Sequence, residues 1–377
     1  MTDKPKIRPS LPTHWYIDAD HYERELKAIW YRDWIAVGRF EQIPEPGDYF
    51  VTKIGTQQII VTRDKDNVPR AYHNTCRHRG SIICTELEGR FRNGRIICPY
   101  HTWTYGLDGK LLATPFRMES DDFDPGDYPL YDVAVDTWKG FIFVCLDEHP
   151  SQTLEQALGE EAKEVESWPL EDMVIVHEEV SVLDCNWKIF WENYNECYHC
   201  PRIHPELCKV VPLYAEGIQG HYDQPGWEPK DERDNGEPSV AEGMTTWTVD
   251  GISALPELEG LDGKKKAKGM TFATLLGSMY VVGHPQYARS VRLRPLGPET
   301  LELTATWFLP PETAAAHPEE VEHLLSLVRL VIAQDGRACE WNQAGLHSHR
   351  HTQGVLVPQE SGVAWIHDWL RGKLGES

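Results

Sequence analysis

Two short Cys/His pairs constrain this sequence most. Cys76 and His78 form the first pair, and Cys98 and His101 form the second. Two thiolates and two imidazoles can hold a [2Fe–2S] cluster, with the cysteines on one iron and the histidines on the other. The same donors also bind zinc, but zinc fingers usually keep their cysteines together and their histidines together. The mixed order therefore favours a cluster that carries single electrons.

The residues around the two pairs make the pattern more specific. Gly80 follows the first pair, while Pro99 and Trp103 accompany the second. This arrangement resembles the signature C-x-H-x-G … C-P-x-H-x-W of the Rieske oxygenases. The resemblance implies a small domain that holds a Rieske [2Fe–2S] cluster on two hairpin loops. The cluster ligands that it implies are Cys76, His78, Cys98 and His101.

The hydrophobic pattern changes near residue 47. Before it, Tyr22, Leu26 and Trp30 recur at helical spacing, which predicts an N-terminal helical segment over residues 1–46. The resemblance implies that this segment packs on a catalytic domain. From residue 47, short apolar strands follow, and Asp108-Gly109 predicts a tight hairpin turn. We therefore expect an all-β Rieske domain over residues 47–150.

Residues 151–377 show the pattern of a mixed catalytic domain. Val321–Leu346 is the longest helical pattern, and Ala215–Gly269 is rich in Gly, Pro and charge, which predicts long loops over a site. The expected strands are Val174–Val182, Met270–Val282, Tyr287–Leu293 and Leu301–Phe308. The expected fold class is thus α+β. The resemblance implies a helix-grip catalytic domain, in which an antiparallel sheet wraps a long C-terminal helix.

A second group of metal-binding side chains follows a predicted helix over Asn186–Tyr198. His199 lies near its end, and His204 comes after Pro201 has turned the chain. Two histidines and one carboxylate form the facial triad of non-haem iron enzymes, which leaves positions open for dioxygen and substrate. The spacing therefore allows both imidazoles to face one mononuclear Fe(II) ion.

The resemblance to the Rieske oxygenases extends to this segment. Glu196, His199 and His204 match the family pattern E/D-x-x-H-x4-H, and Asp335 and Glu340 match a C-terminal pattern, E/Q-D-x4-E. The resemblance implies His199, His204 and Asp335 as the iron ligands. Glu340 is the alternative carboxylate, and a solvated Asp335 is the other interpretation of the same residues.

Glu196 is the position at which this sequence departs from the usual family pattern. The family usually has Asp there, and this Asp bridges a catalytic histidine of one subunit to a cluster histidine of the next. The resemblance implies that Glu196, on one helix face with His199, links His199 or His204 to His101 of the partner subunit. Glu within Asn-x-x-Glu-Cys-Tyr-His-Cys resembles the branch that acts on carnitine and glycine betaine.

Composition limits the partners and the compartment. The formal net charge of −22 argues against a nucleic-acid partner and is compatible with a cationic substrate. No apolar run is long enough to span a membrane, and the N-terminus lacks a secretory signal. Nine cysteines without a regular framework indicate a reducing compartment, so we expect a cytoplasmic protein. Cys197 and Cys200 are expected to be small buried side chains, with a redox or zinc role as the alternative.

The resemblance implies a terminal oxygenase that takes electrons from a separate flavin/ferredoxin-type NAD(P)H reductase, because this chain shows no nucleotide-binding fingerprint. It also implies a homo-oligomer, expected to be a trimer. The favoured reaction is O2-dependent hydroxylation of an N-methyl group of a quaternary ammonium compound, with loss of formaldehyde. Aromatic-ring hydroxylation is the alternative, and a Rieske electron carrier without catalysis is a third hypothesis. The candidates for a cation–π cage are Trp191, Tyr194, Tyr214, Trp227 and Trp247.

Overall fold

The structure is a computed structural model that describes residues 6–224, 227–228, 236–275 and 277–376. Part of the predicted loop region, residues 225–226 and 229–235, lies outside the described residues. The strands are β1 (Arg8–Pro12), β2 (Ile35–Arg39), β3 (Asp48–Ile54), β4 (Gln57–Arg63), β5 (Pro69–His73), β6 (Glu88–Arg90), β7 (Arg95–Ile97), β8 (Thr104–Gly106), β9 (Leu111–Ala113), β10 (Asp132–Trp138), β11 (Phe141–Cys145), β12 (Val174–Leu183), β13 (Thr271–Leu275), β14 (Met279–Gly283), β15 (Ala288–Gly297), β16 (Thr300–Leu309) and β17 (Gln353–Leu356). The helices are α1 (His14–Ile17), α2 (Ala19–Glu25), α3 (Leu154–Leu158), α4 (Trp187–Tyr194), α5 (Cys200–Ile203), α6 (Pro205–Val210), α7 (Gly263–Lys268), α8 (Pro311–Ala316), α9 (Val321–Leu346) and α10 (Ser361–Leu374).

These elements form two compact units. The first contains Met1–Ala28 and Glu160–Ser377, and the second contains Ile29–Gly159. The predicted division at residues 46 and 150 differs from this one and stays a prediction. The helical interpretation of the N-terminal segment is wrong for Ile35–Arg39, which form β2 and pair with β11. Every residue of β2 is buried, so its apolar side chains belong to a covered strand rather than to a helical stripe.

The Ile29–Gly159 unit is built on two antiparallel sheets. The larger sheet has the order β2-β11-β10-β5-β4-β3-β6, and the smaller has the order β7-β8-β9. Strand β11 lies between two neighbours, and all five of its residues are buried. A short, continuous apolar run is typical of such a strand. The prediction of an all-β architecture is confirmed for the region from β3 to β11.

The predicted hairpin at Asp108-Gly109 is also confirmed, since these residues join β8 to β9. Gly109 has a φ of +77°, and a Cβ atom there would lie 2.7 Å from Cε1 of Tyr72. Tyr72, in β5, donates its hydroxyl hydrogen to the carbonyl oxygen of Leu107 at 2.9 Å. Only glycine tolerates both this backbone conformation and this close approach, which holds the small sheet against the larger one.

The unit of Met1–Ala28 and Glu160–Ser377 contains a five-stranded antiparallel sheet. Its order is β12-β16-β15-β14-β13. The prediction of a single strand over Met270–Val282 is wrong, because β13 and β14 form an antiparallel hairpin there. Gly277, with a φ of +84°, lies between the two strands and allows the reversal. The hairpin widens the sheet by one strand beyond the expected number.

Helix α9 spans Val321–Leu346, as predicted, and packs against α4 and β12. A Cβ atom at Gly336 would lie 2.7 Å from Cδ2 of Leu183, so glycine lets the helix approach β12 closely. No helix in the described part of the chain is both long and apolar enough to cross a membrane. A long C-terminal helix packed on an antiparallel sheet confirms the α+β class and the helix-grip expectation.

A buried ion pair ties the N-terminal helices to this unit. Glu25, at the end of α2, accepts hydrogen bonds from Nζ of Lys188 at 2.5 Å and from Nε1 of Trp187 at 2.7 Å. Both charged side chains are completely buried. Burial alone would raise the pKa of Glu25, but the charge of Lys188 and the hydrogen bonds from His21, Lys188 and Trp187 together outweigh it and lower the pKa. The two charges therefore stabilise each other only as a pair.

We expect Glu25→Gln to lower the free energy of unfolding by about 3 kcal/mol, because it leaves the Lys188 ammonium buried without an anion. The matched control is Asp368→Asn, which removes a half-exposed pair with Arg8 at 2.8 Å and should cost less than about 1 kcal/mol. Urea denaturation followed by tryptophan fluorescence measures both. A loss for Glu25→Gln no larger than that for Asp368→Asn would contradict the assignment.

Candidate metal centres

The first predicted site lies on two tight turns of the Ile29–Gly159 unit. One turn follows β5 and begins at Cys76, whose carbonyl oxygen accepts from the N–H of Gly80 at 2.9 Å. The other follows β7 and begins at Cys98, whose carbonyl oxygen accepts from the N–H of Thr102 at 3.1 Å. Gly80 and Thr102 both have positive φ angles, 75° and 59°. Each Cys–His pair is therefore held by a closed turn.

Between these turns lie the four side chains that the sequence singled out. Cys76 and Cys98 are 3% and 1% exposed, whereas His78 is exposed and His101 is partly buried. The Nδ1 atoms of the two histidines lie 3.1 Å apart, and the hydroxyl of Tyr105 lies 3.3 Å from Sγ of Cys76. This set, with sulfur on the inside and nitrogen on the outside, fits a [2Fe–2S] cluster bound by two thiolates and two imidazoles.

The second predicted site joins side chains from distant parts of the other unit. His199 precedes α5, His204 separates α5 from α6, and Asp335 lies in α9. Nε2 of His204 lies 2.7 Å from Oδ1 of Asp335 and 3.2 Å from Nε2 of His199. The distance from Nε2 of His199 to Oδ1 of Asp335 is 3.4 Å. The three ligand atoms lie within 4.8 Å of one another, so the group can hold a metal ion.

Both imidazoles are oriented by hydrogen bonds on the side away from this group. Nδ1 of His199 donates to Oε1 of Glu196 at 2.6 Å, and Nδ1 of His204 donates to Oε1 of Gln334 at 2.8 Å. A bond at Nδ1 leaves Nε2 as the metal-binding nitrogen of each ring. The role of Gln334 was not predicted, although it directly precedes Asp335 in the motif.

The electrostatics of the site favour a cation. Burial alone would lower the pKa of His199, but hydrogen bonds with Asp335 and Glu196 outweigh it and raise the pKa to about 9. Burial alone would raise the pKa of Asp335, but hydrogen bonds with His199 and His204 hold it below its ordinary value. These opposite shifts show that the carboxylates and the positive charge stabilise each other. A bound metal ion supplies that positive charge and replaces the proton on the imidazole.

Glu196 is not on one helix with His199, as the sequence suggested. Helix α4 ends at Tyr194, and Glu196 lies in the turn before α5. Its Oε2 accepts from the backbone N–H of Tyr198 and, at 3.2 Å, of His199. The turn therefore holds the carboxylate beside His199. Glu340, the alternative ligand, instead accepts from the backbone N–H of Asp184 at 3.3 Å.

Cys197 and Cys200 flank His199 and are both buried, as expected. The structure joins them in a disulfide, whereas the sequence suggested two separate thiols. The turn between α4 and α5 brings their Cα atoms to 4.9 Å, which is within the usual range for a disulfide.

A cavity of about 540 Å³ adjoins the group of His199, His204 and Asp335, which form part of its wall. This volume suits a small organic molecule. Aromatic side chains contribute much of the remaining wall: Tyr194, Tyr214, Trp247, Phe272 and Tyr280. Tyr194 and Tyr280 are stacked, with their ring centroids 4.0 Å apart. A ligand in the cavity therefore lies beside aromatic side chains and close to a group that can hold a metal ion.

This wall contains three of the five cage candidates from the sequence: Tyr194, Tyr214 and Trp247. Among the described residues, Trp191 and Trp227 are not part of it, and Trp191 instead packs edge-to-face on Tyr194. Phe272 and Tyr280 were not among the candidates, and they lie in β13 and β14, the hairpin that was predicted as a single strand. Recognising the turn at Gly277 would have placed both rings in neighbouring strands of one sheet.

Comparisons with known proteins identify the family. Residues 160–376 match the ring hydroxylating alpha subunit (catalytic domain) family, and residues 33–129 match the Rieske [2Fe-2S] domain family. The first match alone covers more than half of the chain. This chain belongs to the Rieske oxygenase family. Its cofactors are a Rieske [2Fe–2S] cluster and a mononuclear iron, and the donor sets of the two sites fit them.

Several Rieske oxygenases resemble this one over nearly its whole length. The glycine betaine monooxygenase oxygenase subunit of Chromohalobacter salexigens is 31% identical, over 96% of this chain and 84% of the relative. The chloroplastic choline monooxygenase of Spinacia oleracea is 27% identical, over 98% of this chain and 80% of the relative. A crystal structure of the quaternary ammonium Rieske monooxygenase CntA with gamma-butyrobetaine matches with a TM-score of 0.72 at 20% identity, over 98% of this chain and 97% of that one. The last match shows the shared fold.

We expect His199→Ala to lower the iron content from about three to about two atoms per chain, because the mononuclear site loses one of its three ligands while the cluster keeps all four. The cluster's visible absorption should be unchanged. His323→Ala is the matched control, since His323 also contacts a carboxylate, Asp250 at 2.9 Å, but lies at the other end of α9. Loss of the cluster spectrum in His199→Ala, or retention of three irons, would contradict two separate sites.

Proposed function

We propose that this oxygenase hydroxylates an N-methyl group of a quaternary ammonium compound. The observation that carries the proposal is the aromatic cavity beside His199, His204 and Asp335, since the faces of aromatic rings attract quaternary ammonium ions. The relatives named for glycine betaine and choline support the same substrate class. Both arguments favour amine oxidation over ring hydroxylation.

The charge at the cavity edge supports a cationic substrate. Glu161 and Glu164 are exposed side chains that belong to the cavity wall. Partial burial, together with the neighbouring Glu164 charge, raises the pKa of Glu161 above its ordinary value. Two close carboxylates create a negative potential, which attracts cations and increases their rate of entry.

We assign the ligands residue by residue on the donor geometry and the family motifs. Cys76, Cys98, His78 and His101 hold the cluster, and His199, His204 and Asp335 hold the iron. When bound, the cluster and the iron supply one-electron transfer and activation of dioxygen. The aromatic wall holds the ammonium group and excludes water, while Glu196 and Gln334 keep the two imidazoles in one tautomer.

The proposed reaction balances with two electrons and two protons. The trimethylammonium group, O2, two electrons and two protons give an N-hydroxymethyl group and water. The C–N bond of this group then breaks, which releases formaldehyde and a proton and leaves a dimethylamine. The electrons come from a separate reductase, which we expect to be a flavin/ferredoxin-type NAD(P)H enzyme of the cytoplasm.

We further propose that Glu196 connects the two metal sites across a subunit boundary. Its Oε1 already accepts from His199, and its side chain is partly exposed, so the carboxylate can also accept from His101 of the partner subunit. A carboxylate shared by two imidazoles provides a short path for an electron. This role requires an oligomer, which we expect to be a trimer.

The substrate class is tested by turnover of the reconstituted enzyme with a reducing system, O2 and three compounds: glycine betaine, choline and benzoate. We expect formaldehyde and O2 uptake in equal amounts with at least one of the two trimethylammonium compounds, and no product from benzoate. A hydroxylated benzoate without formaldehyde from either amine would refute the proposal and favour ring hydroxylation.

We expect Glu196→Ala to retain about three irons per chain but to slow single turnover from a pre-reduced cluster by about 10- to 100-fold. Loss of the shared carboxylate lengthens the electron path without removing a ligand. Glu216→Ala, which changes an exposed glutamate after α6, is the control and should have no effect. An unchanged single-turnover rate in Glu196→Ala would exclude the bridging role.

A further inference from the structure

Arg289 is a buried cation that lacks an anion. It lies in the cavity wall and is only 4% exposed. Within the described part of the chain, no carboxylate forms an ion pair with it, and its Nε–H has no hydrogen-bond acceptor. Burial of such a group is costly unless a ligand supplies the missing acceptor.

Other cations of the same unit show that this is not the general pattern. Lys188 is fully buried and pairs with Glu25 at 2.5 Å. Arg294, five residues after Arg289 on β15, donates through Nε to Glu302 at 2.8 Å. In both of these cases a carboxylate lies beside the cation.

The sheet register directs Arg289 toward the cavity. Val282 in β14 pairs with Phe272 on one side and with Arg289 on the other. Residues paired in this way project from the same face of a sheet. Phe272 and Arg289 accordingly both line the cavity. The guanidinium group is thus presented to the cavity by the strand pairing itself.

Trp247 adds a second unused donor at the same place. Its ring centroid lies 5.3 Å from Cζ of Arg289, and the residue is 4% exposed. Its Nε1–H also has no acceptor among the described residues. The guanidinium and the indole share one stretch of wall, and each has one N–H without an acceptor among the described residues, at Nε of Arg289 and at Nε1 of Trp247. Donors of this kind match the needs of a carboxylate, which accepts several hydrogen bonds.

We propose that Arg289 and Trp247 form a carboxylate subsite, so that the substrate is a zwitterion carrying both a trimethylammonium group and a carboxylate. This inference rests on the proposed function and refines its substrate class. A carboxylate at the subsite neutralises Arg289, whose charge would otherwise repel the ammonium group. An alcohol such as choline leaves the guanidinium unpaired.

The cavity offers places for both charges of such a substrate. Cζ of Arg289 lies 5.8 Å from the ring centroid of Tyr280, which in turn stacks on Tyr194. The same wall contains Asp335 of the triad. A carboxylate on Arg289 therefore leaves the ammonium group beside the tyrosine pair, with its methyl groups free to face the iron ligands.

The test separates the two charges with four compounds of nearly equal shape. Glycine betaine carries both charges, choline carries only the cation, 3,3-dimethylbutanoate carries only the carboxylate, and 3,3-dimethylbutan-1-ol carries neither. Dissociation constants are measured by calorimetry on the metal-loaded enzyme, and kcat/KM is measured for the two amines. The variants are Arg289→Met, Arg289→Lys and, as a control, Arg294→Met on the same strand.

We expect the native enzyme to prefer glycine betaine over choline by roughly 100-fold, the range that one buried charge-assisted pair supplies. Arg289→Met should remove most of this preference, because it weakens the binding of the two compounds that carry a carboxylate. The dissociation constants of choline and of the neutral alcohol should stay within about threefold of their values for the native enzyme. Arg289→Lys should restore part of the preference, because the point charge remains without the planar fork. Arg294→Met should keep the native preference.

Two results would overturn the subsite. One is an equal loss of affinity for all four compounds in Arg289→Met, which shows that Arg289 only supports the fold. The other is a native enzyme that does not distinguish glycine betaine from choline. If neither amine releases formaldehyde, the proposed function fails instead. The subsite is then judged by 3,3-dimethylbutanoate alone. Weaker binding of this compound to Arg289→Met supports the subsite, and unchanged binding overturns it.

Discussion

The burial of the Asp335 carboxylate is the constraint on which the catalytic unit depends. A carboxylate in a protein interior requires positive partners, and here His199 and His204 provide them from more than a hundred residues earlier in the chain. Helix α9 must therefore pass close to the turn between α5 and α6. Gly336 beside Leu183 permits that approach, and Gln334 hydrogen-bonds to the second ring. The position of α9 that packs the longest helix against its neighbours is thus also the position that brings Asp335 to the two histidines.

The proposed cluster site is built from local turns rather than from distant parts of the chain. There the two cysteines are buried and the two histidines face outward, so the site has an apolar side and an open side. Closed turns rather than a helix hold the ligands, and each turn carries both members of a pair. Ligands so close in sequence leave a strong local motif. Proposed ligands that come from distant parts of the chain, such as His204 and Asp335, leave a weaker motif in the sequence.

This difference explains what the sequence could predict. The Cys/His pairs, the Asp108-Gly109 hairpin and α9 are local features, and the structure shows the last two where they were predicted. The end of α4 at Tyr194 and the β13–β14 hairpin depend on single turns, and both were misjudged. The cavity wall was predicted only in part. Its aromatic rings come from separate strands, loops and a helix that are brought together by tertiary packing.

The buried charged residues of the catalytic unit are of two kinds: those that are paired within the protein and those that line the cavity. Glu25 and Lys188 neutralise each other completely and need nothing further from outside. Asp335 and Arg289 differ, because both face the cavity. The carboxylate of Asp335 favours a metal ion, and the guanidinium of Arg289, which has no ion pair within the described residues, favours an anion. A cavity whose wall combines these two groups with aromatic side chains is consistent with the proposed iron ligands and with the proposed zwitterionic substrate.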